Sequence, residues 1–127
     1  DCPISNMLDL VGDKWSLLIL RDLIFFSKNT YSDLQNSEEK IATNILSSRL
    51  EKLESDGFIT KQQDKKDKRK KCYQLTEKGL DTLPLLLEMI LWSSQYEPST
   101  HTPQILLDKA KSNKESLIKE LKSNILN

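Results

Sequence analysis

Residues 41–75 read "IATNILSSRLEKLESDGFITKQQDKKDKRKKCYQL". Leu46, Leu50 and Leu53 recur at helical spacing, which predicts a helix from about Thr43 to Asp56 with a narrow buried seam. The opposite side carries Thr43, Asn44, Ser47, Ser48 and Glu51, and Gly57 ends the helix. Two strands follow, Phe58 to Gln63 and Arg69 to Leu75. The "DKKDK" between them has no Asn-Gly signature, so a loop of four or five residues is expected rather than a tight two-residue turn. Formal net charge is zero, yet between Lys61 and Lys71 there are seven basic side chains against two acidic ones. Taken alone, such a run is most simply a solvated loop. Beside a helix with a polar edge it invites another explanation.

Upstream, Ile4, Met7, Leu8 and Val11 form a helical stripe from Pro3, closed by Gly12. Asp13 is placed to cap a second helix, "DKWSLLILRDLIFF", whose wide apolar face predicts a buried centre. After a turn at "FFSKNT", Ser32 starts a short third helix with Gln35 three residues on, the spacing of a capping box. Tyr31 and Leu34 are expected to point inward. Downstream, Thr76 caps a helix, "TEKGLDTLPLLLEMILWSSQY", with a long apolar stripe and a kink expected at Pro84. "EPSTHTP" is a linker, and a last helix from about Pro103 to Ile125 mixes apolar and basic positions.

With 127 residues, a single domain with an appended helix is expected. Only 3 glycines and 4 prolines argue against disorder and against a sandwich of many short strands. No apolar run reaches the ~20 residues that span a bilayer. No signal-peptide pattern opens the sequence, although Asp1 is not a natural start, and a cytoplasmic protein is expected. Cys2 and Cys72 are too far apart in sequence to indicate a disulfide framework. With His101 they match no zinc spacing. No glycine-rich phosphate loop, paired nucleophile and base, or metal cluster is seen, so neither an enzyme nor a cofactor is expected.

Three helices, a hairpin and a basic tip describe a mainly α (α+β) winged helix-turn-helix. A helix with small polar side chains enters the major groove, while lysines at the hairpin tip gain from displacing condensed counterions on neighbouring phosphates. Clustering the charge there lets the rest of the molecule stay neutral. The competing reading is a winged helix used for protein–protein contact, which would usually lose the basic wing.

The stretches "CPISNMLDLVGDKWSLLILRDL" (2–23), "YSDL" (31–34), "ILSSRLEKLESDGFI" (45–59) and "YQLTEKG" (73–79), ending at a helix with "LW" (91–92), resemble the HxlR-type transcriptional regulators in this order and spacing. The resemblance implies a dimeric regulator of double-stranded DNA that represses or activates a nearby gene. It also implies that the first helix and those after the wing build the homodimer. Residues 1–97 are then expected to form the DNA-binding domain, and 98–127 a helical extension adding dimer surface. Relatives often have Ser or Asn where Ala42 stands, so capping at the start of the recognition helix falls to Thr43 or to water.

Thr43, Asn44, Ser47 and Ser48 are the base-reading candidates, Asn44 being suited to bidentate pairing with adenine. Arg49, beside the apolar seam, reaches either a phosphate or an acid such as Glu38. Lys65, Lys66, Lys68 and Arg69 are expected on backbone or minor groove, and only one of Lys70 and Lys71 faces DNA. Tyr31 and Ser32 resemble the position where winged helices touch phosphate, with Tyr31 as plain core the simpler reading. Cys2 stands in a "CP" setting that some relatives use to sense oxidants or electrophiles, and a helix start favours thiolate. Cys72 reads as a small buried hydrophobe. Trp15 and Trp92 read as core and dimer packing. No sequence feature identifies a small-molecule effector.

Overall fold

In the computed structural model, which describes residues 1–126, Leu46, Leu50 and Leu53 all turn into the interior, as their spacing predicts. Each such leucine contributes roughly 1.5–3 kcal/mol by leaving water. The chain forms two compact units, residues 1–80 and the residues from Asp81 onward.

The first unit contains α1 (Pro3–Val11), α2 (Lys14–Phe25), α3 (Tyr31–Gln35), α4 (Thr43–Ser55), β1 (Ile59–Gln63), β2 (Lys71–Leu75) and the short α5 (Glu77–Leu80). Helix α4 packs on α2, α3 and β1, and its leucine seam shares the buried interior of this unit with Ile19, Leu20, Leu23, Leu34, Phe58 and Ile59. Asp13 caps α2 as expected, its carboxylate accepting the Ser16 N–H at 3.0 Å. At the other end of α4, Gly57 adopts φ +84°. The Phe58 N–H returns to Leu53 O and the Gly57 N–H to Glu54 O, the paired bonds that close a helix around a left-handed residue.

Four details differ from the sequence expectation. Helix α3 is capped by Thr30, whose hydroxyl accepts from the Asp33 N–H, rather than by a Ser32–Gln35 box, so the cap lies two residues earlier. The loop between β1 and β2 covers residues 64–70 rather than four or five. Asp64 accepts the N–H of Lys66 and of Asp67, and Asp67 that of Arg69, so two successive carboxylate-closed turns take up the added length. Pro84 does not kink a long helix. The chain breaks into α5 and α6 (Leu83–Tyr96), and the proline sits in the first turn of α6, where its missing N–H costs no bond. The last helix is also two, α7 (Gln104–Ser112) and α8 (Lys114–Leu126). Asn113 is extended between them and caps α8 through the Ser116 N–H.

Strands β1 and β2 pair antiparallel from Ile59↔Leu75 to Gln63↔Lys71. Gly79 lies against this hairpin so closely that a Cβ there would stand 2.1 Å from the Phe58 carbonyl oxygen. That close approach explains the glycine in "TEKG". In the second unit, Leu87 of α6, Ala110 of α7 and Leu117 of α8 form the buried centre, with Leu91, Leu106, Ile118 and Leu121 packed around it. Lys122 pairs with Asp81 at 2.8 Å and Lys109 with Glu120 at 3.0 Å.

Candidate nucleic-acid interface

Thr43, Asn44, Ser47 and Ser48 all lie on the N-terminal half of α4, with Thr43, Asn44, Ser47 and Ser48 reaching its solvent side. Ala42 precedes them as the N-cap residue, without a side-chain cap bond. Ser47 is tied to the neighbouring helix. The Tyr31 hydroxyl stands 2.9 Å from Ser47 Oγ and donates to the Thr43 carbonyl at 3.3 Å. Tyr31, half-buried, is therefore neither plain core nor a free side chain; it joins α3 to the N-terminal end of α4.

Arg49 pairs with Asp13, not Glu38, its Nε–H donating to Oδ2 at 2.9 Å. Its Nη1 reaches Ser48 Oγ at 3.3 Å. For Asp13, burial raises the carboxyl pKa, but hydrogen bonds from Ser16 and Arg49 outweigh it and hold the group below its ordinary range. The arginine thus locks the start of α2 to the middle of α4.

On the wing, Lys65, Lys66, Lys68 and Arg69 reach into solvent, as does Ser32 on α3. Arg69 folds back on Asp67 at 3.3 Å while staying 93% exposed. The three lysines have no acidic partner among the described residues. Asp64 is held below the ordinary carboxyl range by the backbone N–H groups of Lys66 and Asp67. It stays ionised to hold the loop while its charge is spent on amides. Between the wing and α4 runs an open groove of about 570 Å³, with Tyr31, Ser47 and Leu50 along one side and Lys61, Lys71 and Tyr73 along the other. Lys70 and Lys71 both border it.

A polar network beneath this surface carries no sequence signal. Arg21 forks between Asp22 at 2.7 Å and Glu39 at 2.6 Å, and the buried Asp22 also accepts the Ser37 hydroxyl. Hydrogen bonding from Arg21 lowers the Glu39 pKa to about 2. These bonds pin residues 37–39, which lead into α4, to α2. Partners so distant in sequence have no periodicity to reveal them.

Cys2 is exposed at the N-cap of α1, without a side-chain cap bond, and Cys72 is half-buried in β2; both are free thiols. Among the described residues no group of His, Cys, Asp or Glu is arranged to hold a metal, and no helix is long and apolar enough to cross a membrane.

Residues 10–101 match the HxlR-like helix-turn-helix family. The chain belongs to that family. The HxlR-like assignment is supported by YdeP of Bacillus subtilis (strain 168), an uncharacterized HTH-type transcriptional regulator, 33% identical over 76% of this chain and 74% of its own length. Other such relatives are longer, the chain spanning 64–65% of them. The crystal structure of PA1607, a candidate transcription factor, superposes with a TM-score of 0.71 at 32% identity, covering 81% of this chain and 72% of that one. The redox regulator HypR in its oxidized form superposes at 0.66 and 26% identity, covering 76% and 98%. An HxlR-like protein is a winged-helix transcriptional regulator rather than an enzyme, and DNA is the partner the family implies.

Proposed function

We propose that the chain acts as a homodimer on an inverted-repeat operator, with α4 in the major groove and the wing tip on adjacent phosphates. The observation that carries this is the pairing of an exposed polar face, Thr43, Asn44 and Ser48, with lysines at 65, 66 and 68 that meet no acid among the described residues of the same unit. Asn44 reads bases, with Ser47 and Ser48 making shorter contacts, while Arg49 braces the helix and offers its remaining N–H groups to a phosphate. Two copies related by a two-fold axis would present α4 to successive major grooves about 34 Å apart.

Dimerisation is supported by apolar faces that each unit leaves in water. On α1, Ile4 and Leu8 are 73% and 60% exposed. On α6, Leu85, Met89, Trp92 and Tyr96 lie on one stripe, and Trp92 rests against Tyr96 with ring centroids 5.1 Å apart. Such faces are costly unless a second surface covers them. The α7–α8 extension adds to that dimer surface, and the DNA-binding part is assigned to residues 1–97.

Genome-wide binding-site selection with the purified protein, combined with sedimentation of the free protein, tests the reading. The expected result is a dimer and a set of inverted repeats with half-sites one helical turn apart. A monomer that selects no common sequence would defeat it. Cys2, exposed at a helix start, is the proposed sensor of oxidants or electrophiles, a reading favoured by the likeness to HypR.

A further inference from the structure

The base of the wing holds a second cluster of charge, separate from the tip. Strand pairing sets Lys61 opposite Tyr73 and Gln63 opposite Lys71. Side chains alternate across a strand, so Lys61, Lys71 and Tyr73 share one face of the hairpin. Tyr73 is 4% exposed, which marks that face as the one turned towards the helices. The outer face is distinct, carrying the Gln62–Gln74 hydrogen bond.

Lys61 and Lys71 both line the groove from this inner face, and the charge of Lys61 pushes the Lys71 pKa below its ordinary value. Two like charges thus share one strand face, with no salt-bridge partner among the described residues. Lys70 and Arg69 border the same groove. The acids that also line it, Glu51 and Glu54, lie one and two turns beyond Ser47 along α4. An anion is therefore repelled from the far end and drawn towards the end bounded by Tyr31, Ser32 and Ser47. That end opens beside the base-reading face of α4.

We propose that the groove between α4 and the root of the hairpin seats one DNA backbone phosphodiester, held by Lys61 and Lys71 and bordered by Ser32. A single negative charge placed there turns a repulsive pair into an attractive triad and displaces condensed counterions from the duplex. Register follows from this seat. A phosphate fixed beside Ser47 sets how deeply α4 enters the major groove, whereas the tip lysines sit on a longer, more open loop.

The proposal rests on the DNA-binding reading above. It is tested by binding of a labelled random-sequence duplex across a salt series, which needs no operator. The Lys61→Gln/Lys71→Gln protein should bind about tenfold more weakly at low salt, with a salt slope shallower by about one to two. Lys61→Arg/Lys71→Arg should stay within about twofold of the native protein. Lys111→Gln/Lys119→Gln removes the same charge from α7 and α8; once sedimentation shows that this variant keeps the native oligomeric state, it should bind as the native protein does. Circular dichroism and thermal melting confirm that each variant is folded. Native affinity and slope in a folded glutamine variant would overturn the proposal alone, as would an equal loss from the α7–α8 variant. No duplex binding by the native protein would overturn the DNA-binding reading, and this proposal with it.

Discussion

The hydroxyl of Tyr31 lies 2.9 Å from Ser47 Oγ, bridging α3 and α4 at the surface where DNA is proposed to dock. The same hydroxyl donates to the Thr43 carbonyl in the first turn of α4. One phenol thus fixes both the rotamer of Ser47 and the start of the helix that carries it. Tyr31→Phe keeps the ring and deletes these bonds. It should cost about 0.5–1.5 kcal/mol in urea unfolding. If Ser47 is oriented by Tyr31, the variant should also discriminate less between operator and random duplex; unchanged discrimination would show that Ser47 needs no such support.

Asn44 stands at the exposed front of α4 and has no side-chain partner among the described residues. Asn44→Ala should lower affinity for the preferred operator by about 1–3 kcal/mol. Binding to random duplex should hardly change. Competition binding with both duplexes checks this, and a uniform loss on the two would place Asn44 on the backbone instead.

Changing Lys65, Lys66, Lys68 and Arg69 together to Ala should have the opposite character. All sequences should be bound more weakly, and the salt slope should fall by up to about four, near one for each phosphate that is no longer neutralised. Retained binding with an unchanged slope would favour a wing that meets protein rather than DNA.

Gly79 leaves no room for a side chain, since a Cβ at that position would fall 2.1 Å from the Phe58 oxygen. Gly79→Ala must push α5 away from the hairpin, and a loss of about 2–3 kcal/mol is expected in urea or thermal unfolding. A substitution that left the melting temperature unchanged would show that the two segments part easily.

The Arg21–Glu39 pair makes stability sensitive to acid. The Glu39 carboxyl is lowered from 4.5 to about 2, so its contribution is complete above about pH 4.5 and is lost as pH falls from there through about 2. Asp13, also lowered, acts in the same direction. Glu39→Gln should cost about 1–2 kcal/mol at neutral pH, solvent screening being allowed for, and should flatten the decline below pH 4.5. Denaturant midpoints measured from pH 7 to 2.5 decide this; an equally steep decline in the variant would assign the acid sensitivity to other carboxylates.

Much of this protein is legible in one dimension because its local patterns agree with its fold. The leucine seam of α4, the Asp13 cap, Gly57 and the basic run between two strands act through residues a few positions apart. They specify the winged helix-turn-helix and point to α4 and the wing as the working surface. The boundaries at Thr30, Pro84 and Asn113 are not legible in the same way, because neighbouring candidates can cap or break a helix almost equally well. Packing selects among them.

Only the tertiary structure could decide which distant side chains meet. Arg49 finds Asp13 across 36 residues, Tyr31 finds Ser47, Arg21 finds Glu39, and the hairpin register sets Lys61 and Lys71 on one face. Helix and strand periodicity records the direction a side chain takes from its own backbone. It holds no record of what another segment places there, and hydrogen bonds and ion pairs depend on that second position to within a few tenths of an ångström.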